Sequence, residues 1–129
     1  MDSSALAKLV LIEPESAALD MWLKGHGGAM ISSELSRVEV MLTCRRREPS
    51  ALGAAQALLS ARVDLIRMTI ALLDDAARVT DPLLRTLDAI HLASAQSMSD
   101  ALTGFVTYDR RMFAAAQAAD LTPTSPGLP

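Results

Sequence analysis

The sequence predicts an α/β domain of three layers, with helices on both faces of a mainly parallel sheet. Three observations carry that reading. Short extended runs alternate with helical patterns along the chain, the order expected of strands joined by crossover helices. Half of the residues are hydrophobic but only 3% are aromatic. The core is therefore Leu, Ala, Val, Ile and Met, a mixture suited to helices packed on another layer. Finally, 129 residues make one domain of ordinary size, residues 1–129, with no internal repeat and no Pro- or Gly-rich linker to divide it.

Residues 3–10 read as a short helix and 13–25 as a second, stopped near Gly25, Gly27 and Gly28. Ala29 to Ser32 is a short extended run. Ser33 is placed as the N-cap of a helix to about Arg47, with Glu34 and Glu39 on it. Pro49 opens another helix at its first turn, running to about Ala61. Val63 to Met68 reads as a strand, and Thr69 caps a helix to about Val79. Asp81-Pro82 is a break, and the next helix runs from just after Thr86 to about Asp100. Gly104 to Thr107 is a strand, Arg110 to Ala119 a helix, and Leu121 to Pro123 a last strand. Residues 124–129, "TSPGLP", form a loop tail.

Formal charge is −3, with 15 acids against 12 bases, which argues against a whole surface that grips nucleic acid. A local basic patch remains open. Ten of the bases are Arg, and five of those lie in Arg45-Arg46-Arg47 and Arg110-Arg111. No stretch reaches the roughly 18 uncharged apolar residues of a membrane span, and the opening "MDSSALAKLV" lacks the form of a signal peptide. One cysteine, Cys44, excludes an intramolecular disulfide and fits a reducing compartment, the cytoplasm by default.

Within "TLDAIHLASA", Asp88 shares a helix face with Leu84, His91, Leu92 and Ala95, an odd place for a carboxylate. In parallel sheets, sites form outside the carboxyl ends of the strands. Asp109 lies just past "GFVT", Glu39 in the helix after the 29–32 strand, and Asp2 just before the first helix. Four carboxylates brought together would raise one another's pKa unless a multivalent cation neutralised them. Hard oxygen donors, with no His or Cys pair at zinc-like spacing, point to Mg²⁺ or Mn²⁺. Such a site suits phosphodiester hydrolysis. Each acid also has a plainer reading: Asp88 as partner of a helix dipole, Asp109 as an N-cap, Glu39 on a solvated face, Asp2 at a chain end. Spacing alone leaves both open.

The wording around the acids adds to this. "DSSALAKLVLIEPES" resembles the opening of PIN-domain ribonucleases of the VapC toxin type. "ISSELSRVEVMLTCRR", "LDAIHLASA" and "GFVTYDRRM" resemble that family's later acidic blocks, in order and across essentially the whole chain. The resemblance implies a PIN-like α/β/α sandwich and Mg²⁺-dependent cleavage of RNA, usually endonucleolytic. It implies that Asp2, Glu39, Asp88 and Asp109 form the metal site and carry catalysis. Glu39 is chosen over Glu34 because the family's glutamate follows Ser33 at this spacing; Glu34 is assigned to the helix dipole. Ser4, Thr107 and Arg110 are implied as phosphate-contacting or supporting groups. A VapB-like antitoxin and a homodimer are the implied protein partners.

The family has an apolar strand before its first aspartate, whereas only Met1 precedes Asp2 here. The first strand is therefore expected to be truncated, with an upstream start the favoured explanation and Asp2 on a fraying end. The same feature keeps a second function in play, a catalytically inactive PIN-like binding or scaffold protein. A receiver-like domain ranks low, since its lysine at a late strand end has no counterpart; the lysines are Lys8 and Lys24. His91, one turn from Asp88, could reach the site or an RNA phosphate but is read as packing at a helix interface; Asp74, Asp75 and Asp81 are read as solvated, Cys44 as buried and inert. Met21, Trp22 and Leu23 are read as core.

Overall fold

The computed structural model describes residues 1–129. Seven helices and four short strands follow one another: α1 Ser3–Ala7, α2 Ser16–His26, β1 Met30–Ser33, α3 Ser36–Arg47, α4 Leu52–Ala61, β2 Val63–Ile66, α5 Ile70–Ala77, α6 Thr86–Gln96, β3 Phe105–Val106, α7 Arg110–Ala118 and β4 Pro123–Thr124. Short 3₁₀ turns at Pro49–Ala51 and Ser99–Ala101 complete the chain. The strands form two parallel pairs, β1 with β2 and β3 with β4.

Residues 1 and 2 lie between the pairs. The Met1 nitrogen donates to the Ile31 carbonyl at 2.8 Å, and the Asp2 amide donates to the Val106 carbonyl at 3.2 Å. Successive residues thus bond to opposite sides, as in a strand between β1 and β3. Asp2, expected on a fraying end, is only 5% exposed and is held on both sides.

Alternation along the strands shows the layers. Phe105 packs with Leu92, Met112 and Ala116 of α6 and α7, while the next residue, Val106, packs with Ala5 and Leu19 of α1 and α2. Val63 and Leu65 face the cluster of α1, α3 and α4, whereas Ile66 joins the cluster of α5 and α6. Helices α1–α4 therefore cover one face and α5–α7 the other, the predicted three layers.

Element limits moved for identifiable reasons. Helix α1 stops at Ala7 because Leu9 and Val10 donate three residues back, to Leu6 and Ala7, in a tightened turn. Helix α2 begins at Ser16 rather than residue 13, since a residue before proline, here Glu13, is disfavoured in helix. It ends as expected, on Gly27 at φ 61°. Ser33 is not an N-cap: it closes β1, and its hydroxyl accepts from the Leu35 amide at 3.2 Å. Glu34 lies before α3 and accepts from the Met68 amide at 3.2 Å, tying the ends of β1 and β2 rather than serving a dipole. Thr69 caps α5 as predicted, through the Leu72 amide.

The tail is not a loose loop. Thr124 pairs with Val106, Ser125 donates to the Thr107 carbonyl at 2.6 Å, and Tyr108 donates to the Pro126 carbonyl at 2.8 Å. Gly127 sits at φ 88°, where a Cβ would stand 2.9 Å from Ala18 Cβ, so the turn needs glycine. Met21 is 73% exposed and not core, while Trp22 and Leu23 are half-buried. Cys44 is buried within the cluster of α1, α3 and α4.

Candidate functional site

Asp2, Glu39 and Asp109 all follow strand positions, at the carboxyl edge of the sheet. Asp2 caps α1. Its Oδ1 accepts from the Ser4 hydroxyl at 2.6 Å and the Ala5 amide at 3.1 Å, and its Oδ2 from the Thr107 hydroxyl at 2.5 Å. A buried carboxylate is tolerable only when its lone pairs are satisfied this fully. Ser4 and Thr107, both expected as supporting groups, are the hydroxyls that do it. Ser4 Oγ also accepts from the Tyr108 amide at 2.9 Å, and Thr107 Oγ1 from the Asp109 amide at 3.2 Å. Those bonds lock the turn after β3 onto the start of α1.

Glu39 lies within α3, half-buried. Its Oε2 accepts from Ser3 Oγ at 2.5 Å and lies 2.6 Å from His91 Nε2, while Ser3 Oγ stands 3.2 Å from the same nitrogen. Ser36 Oγ lies 3.1 Å from Ser3 Oγ and 2.7 Å from Ser32 Oγ, extending a buried polar seam across α1, β1 and α3. Burial pushes the Glu39 carboxyl up, but hydrogen bonds from His91 and Ser3 outweigh it and hold it below the ordinary glutamate range. Both contacts fall on Oε2, which leaves Oε1 uncommitted.

Asp109 is the N-cap of α7, as its plainer reading had it: Oδ1 accepts from the Arg111 amide at 2.7 Å and the Met112 amide at 3.2 Å. Arg111 Nη2 stands 3.4 Å from Oδ2. Burial raises its pKa, yet the Met112 amide, then the Arg111 side chain and amide, leave it below the usual aspartate value. Arg110 is exposed at the first position of α7. Asp88 is the third residue of α6, and its Oδ2 accepts from the Arg85 amide at 3.2 Å, a capping contact that leaves Oδ1 uncommitted.

The structure therefore links Asp109 to Asp2 through Thr107, and ties Glu39 to the residue beside Asp2, Ser3. Asp88 is connected only through its helix, one turn before His91. No three acidic or imidazole groups gather, as the side chains stand, around a point one ion would occupy. The donor chemistry nevertheless fits a hard divalent ion: four carboxylates, with Glu39 Oε1 and Asp88 Oδ1 free. Sequence reading missed Ser3, Ser32 and Ser36, and ranked packing above a site role for His91, which bonds Glu39 and Ser3. The readable signal was spacing: Ser36 and Glu39, like Asp88 and His91, are three apart on a helix and share a face.

Three comparisons bear on what this arrangement is. The model of the PIN domain family matches residues 1–118. Ribonuclease VapC47 of Mycobacterium tuberculosis (strain CDC 1551 / Oshkosh) is 38% identical over 131 residues, covering 98% of this chain and 96% of the relative. Ribonuclease VapC35 of the same organism is 41% identical over 130 residues, with 98% and 96% covered. Ribonuclease VapC46 of Mycobacterium tuberculosis (strain ATCC 25618 / H37Rv) is 41% identical over 126 residues, with 98% and 95% covered. Among solved structures none gives a significant match.

Proposed function

The chain belongs to the PIN-domain family, with VapC proteins as its relatives, and from that premise we propose that it is a metal-dependent ribonuclease of the VapC toxin type. One observation carries the proposal: a buried aspartate, Asp2, held by three hydrogen bonds at the carboxyl edge of the sheet, with Glu39 tied to its neighbour Ser3 and Asp109 to its partner Thr107. Asp2, Glu39, Asp88 and Asp109 would hold Mg²⁺, or Mn²⁺. When bound, that ion lowers the pKa of water and offsets charge on phosphate oxygens.

The chain's own part is positional. Thr107 and Ser4 fix the position of the Asp2 carboxyl group at the sheet edge. Ser3 and His91 orient Glu39 with one oxygen outward. The exposed guanidinium of Arg110, beside Asp109, is placed to take an RNA phosphate. A VapB-like antitoxin, inserting a basic side chain among these acids, would silence them, and a homodimer is the expected assembly. A cytoplasmic location accords with a chain whose single cysteine, Cys44, is buried and has no partner for a disulfide.

The test is cleavage of single-stranded RNA by purified protein in Mg²⁺, against the same reaction in EDTA. Asp88→Asn is expected to cut the rate by more than the ~10–100-fold that outer-shell changes cost, with the unfolding midpoint preserved. Wild-type rates in Asp88→Asn would remove Asp88 from the site. RNA bound but left intact in both Mg²⁺ and Mn²⁺ would favour the catalytically inactive scaffold reading instead.

A further inference from the structure

We propose that the cleft between the start of α7 and the C-terminal tail is a nucleobase subsite for an RNA strand, an inference that rests on the ribonuclease reading above. The cleft encloses about 480 Å³ and is walled by Tyr108, Asp109, Arg110, Phe113, Ser125 and Leu128, among others. That volume falls within the roughly 300–1,000 Å³ of small-molecule sites. It opens beside Asp109, so a strand with a phosphate at the acids would bring a neighbouring nucleotide to this cleft.

The lining suits a base joined to a phosphate. Arg110 at the rim is exposed and pairs with no acid, whereas Arg111 is already engaged by Asp109. Of the two aromatic rings, Tyr108 is committed: Lys8 Nζ sits 4.6 Å over its ring and its hydroxyl is bonded to Pro126. Phe113, half-buried one turn beyond Asp109, has neither constraint and offers its ring for stacking. Leu128 closes the apolar side, and Thr124 supplies a hydroxyl at the edge for base atoms, while Ser125, its proton committed to the Thr107 carbonyl, keeps only acceptor capacity.

The wall opposite α7 is preformed. Residues 123–128 are held by the β3–β4 pairing, by Ser125 on the Thr107 carbonyl and by Leu128 on the Ser125 carbonyl at 3.0 Å. A nucleotide would therefore find the cleft shaped before it arrives, which lowers the ordering cost of binding.

The test is a thermodynamic cycle on binding, using a fluorescent single-stranded RNA and an abasic strand of the same length, both with Ca²⁺ in place of Mg²⁺ and with the strands shown intact on a denaturing gel. Phe113→Leu is expected to weaken the base-bearing strand by about tenfold while shifting the abasic strand by less than about twofold. Phe113→Tyr, which keeps the ring, should bind both as the wild type does. Arg110→Gln should weaken both strands alike and lower the salt slope by about 1. Equal effects of Phe113→Leu on the two strands, or none on either, would overturn the subsite. Coupling without any RNA cleavage by the wild type would remove the catalytic reading and leave the subsite standing. Cleavage without coupling would do the reverse.

Discussion

Ser3 gives one hydroxyl three neighbours: Glu39, His91 and Ser36. Such a group orients a carboxylate more than it stabilises the fold, because its partners retain one another when it is removed. Ser3→Ala should therefore cost less than about 1.5 kcal/mol in urea unfolding, the ordinary net worth of a hydrogen bond. It should nonetheless lower RNA cleavage by ~10–100-fold, as loss of a supporting partner does. A lowered unfolding midpoint with an unaltered cleavage rate would make Ser3 structural only. The four acids were singled out at this scale because each stands in a characteristic local word; that they act as one site is the proposal made above. The bonding of His91 to Glu39 and Ser3 was not foreseen, because those partners lie 52 and 88 residues away, and its spacing from Asp88 alone did not outweigh a packing role.

Ion pairs tie several elements to one another near the end of α1. Lys8 donates to Glu13 and, at 2.7 Å, to Glu15, and Arg47 at the end of α3 also reaches Glu13. The Lys8 bond, countered by burial, leaves the Glu13 carboxyl below its ordinary value. Burial pulls the Lys8 amine down, but its bonds to Glu13 and Glu15 prevail and raise it. A carboxyl depressed on folding contributes stability that is present above its unfolded pKa, about 4.5, and lost as pH falls through the folded value. A raised amine contributes stability that is present below about 10.5 and lost as pH climbs through its folded value. Urea midpoints should accordingly hold level from about pH 5 to 10 as far as this network decides, and fall on both sides. Lys8→Met should flatten the alkaline fall and cost about 1–3 kcal/mol at neutral pH, since charge-assisted bonds are lost; an unchanged alkaline limb would show that the network is not its source. None of this pairing was readable beforehand. The helices and their order were, through Pro49, Thr69 and Gly27, whereas strand limits shifted because two- to four-residue strands carry too few alternations to fix their ends.

Across the whole molecule, the two strand pairs could behave as separate halves, since the backbone bonds between them run through residues 1 and 2. Helix α1 opposes that. Five residues are too few to form a helix in isolation, so its structure is imposed by packing. Leu6 and Ala7 belong to the cluster of α3, α4 and β2, while Ala5 belongs to that of α2 and β3. One turn of helix thus has both its faces buried, one in each half. The sequence showed α1 only as a short helix, and its role as a joint became visible when its contacts were known. If α1 is the joint, Leu6→Ala will be felt on both sides. Leu6 is completely buried, so the change should cost about 2–5 kcal/mol. Trp22, the single tryptophan, lies against Gly104 beside β3 and reports the far half. Circular dichroism and Trp22 fluorescence should then move to lower urea together, in one transition with an unchanged slope. A fluorescence midpoint that stayed at the wild-type value while the helical signal moved would mean that the halves unfold separately and that α1 does not couple them.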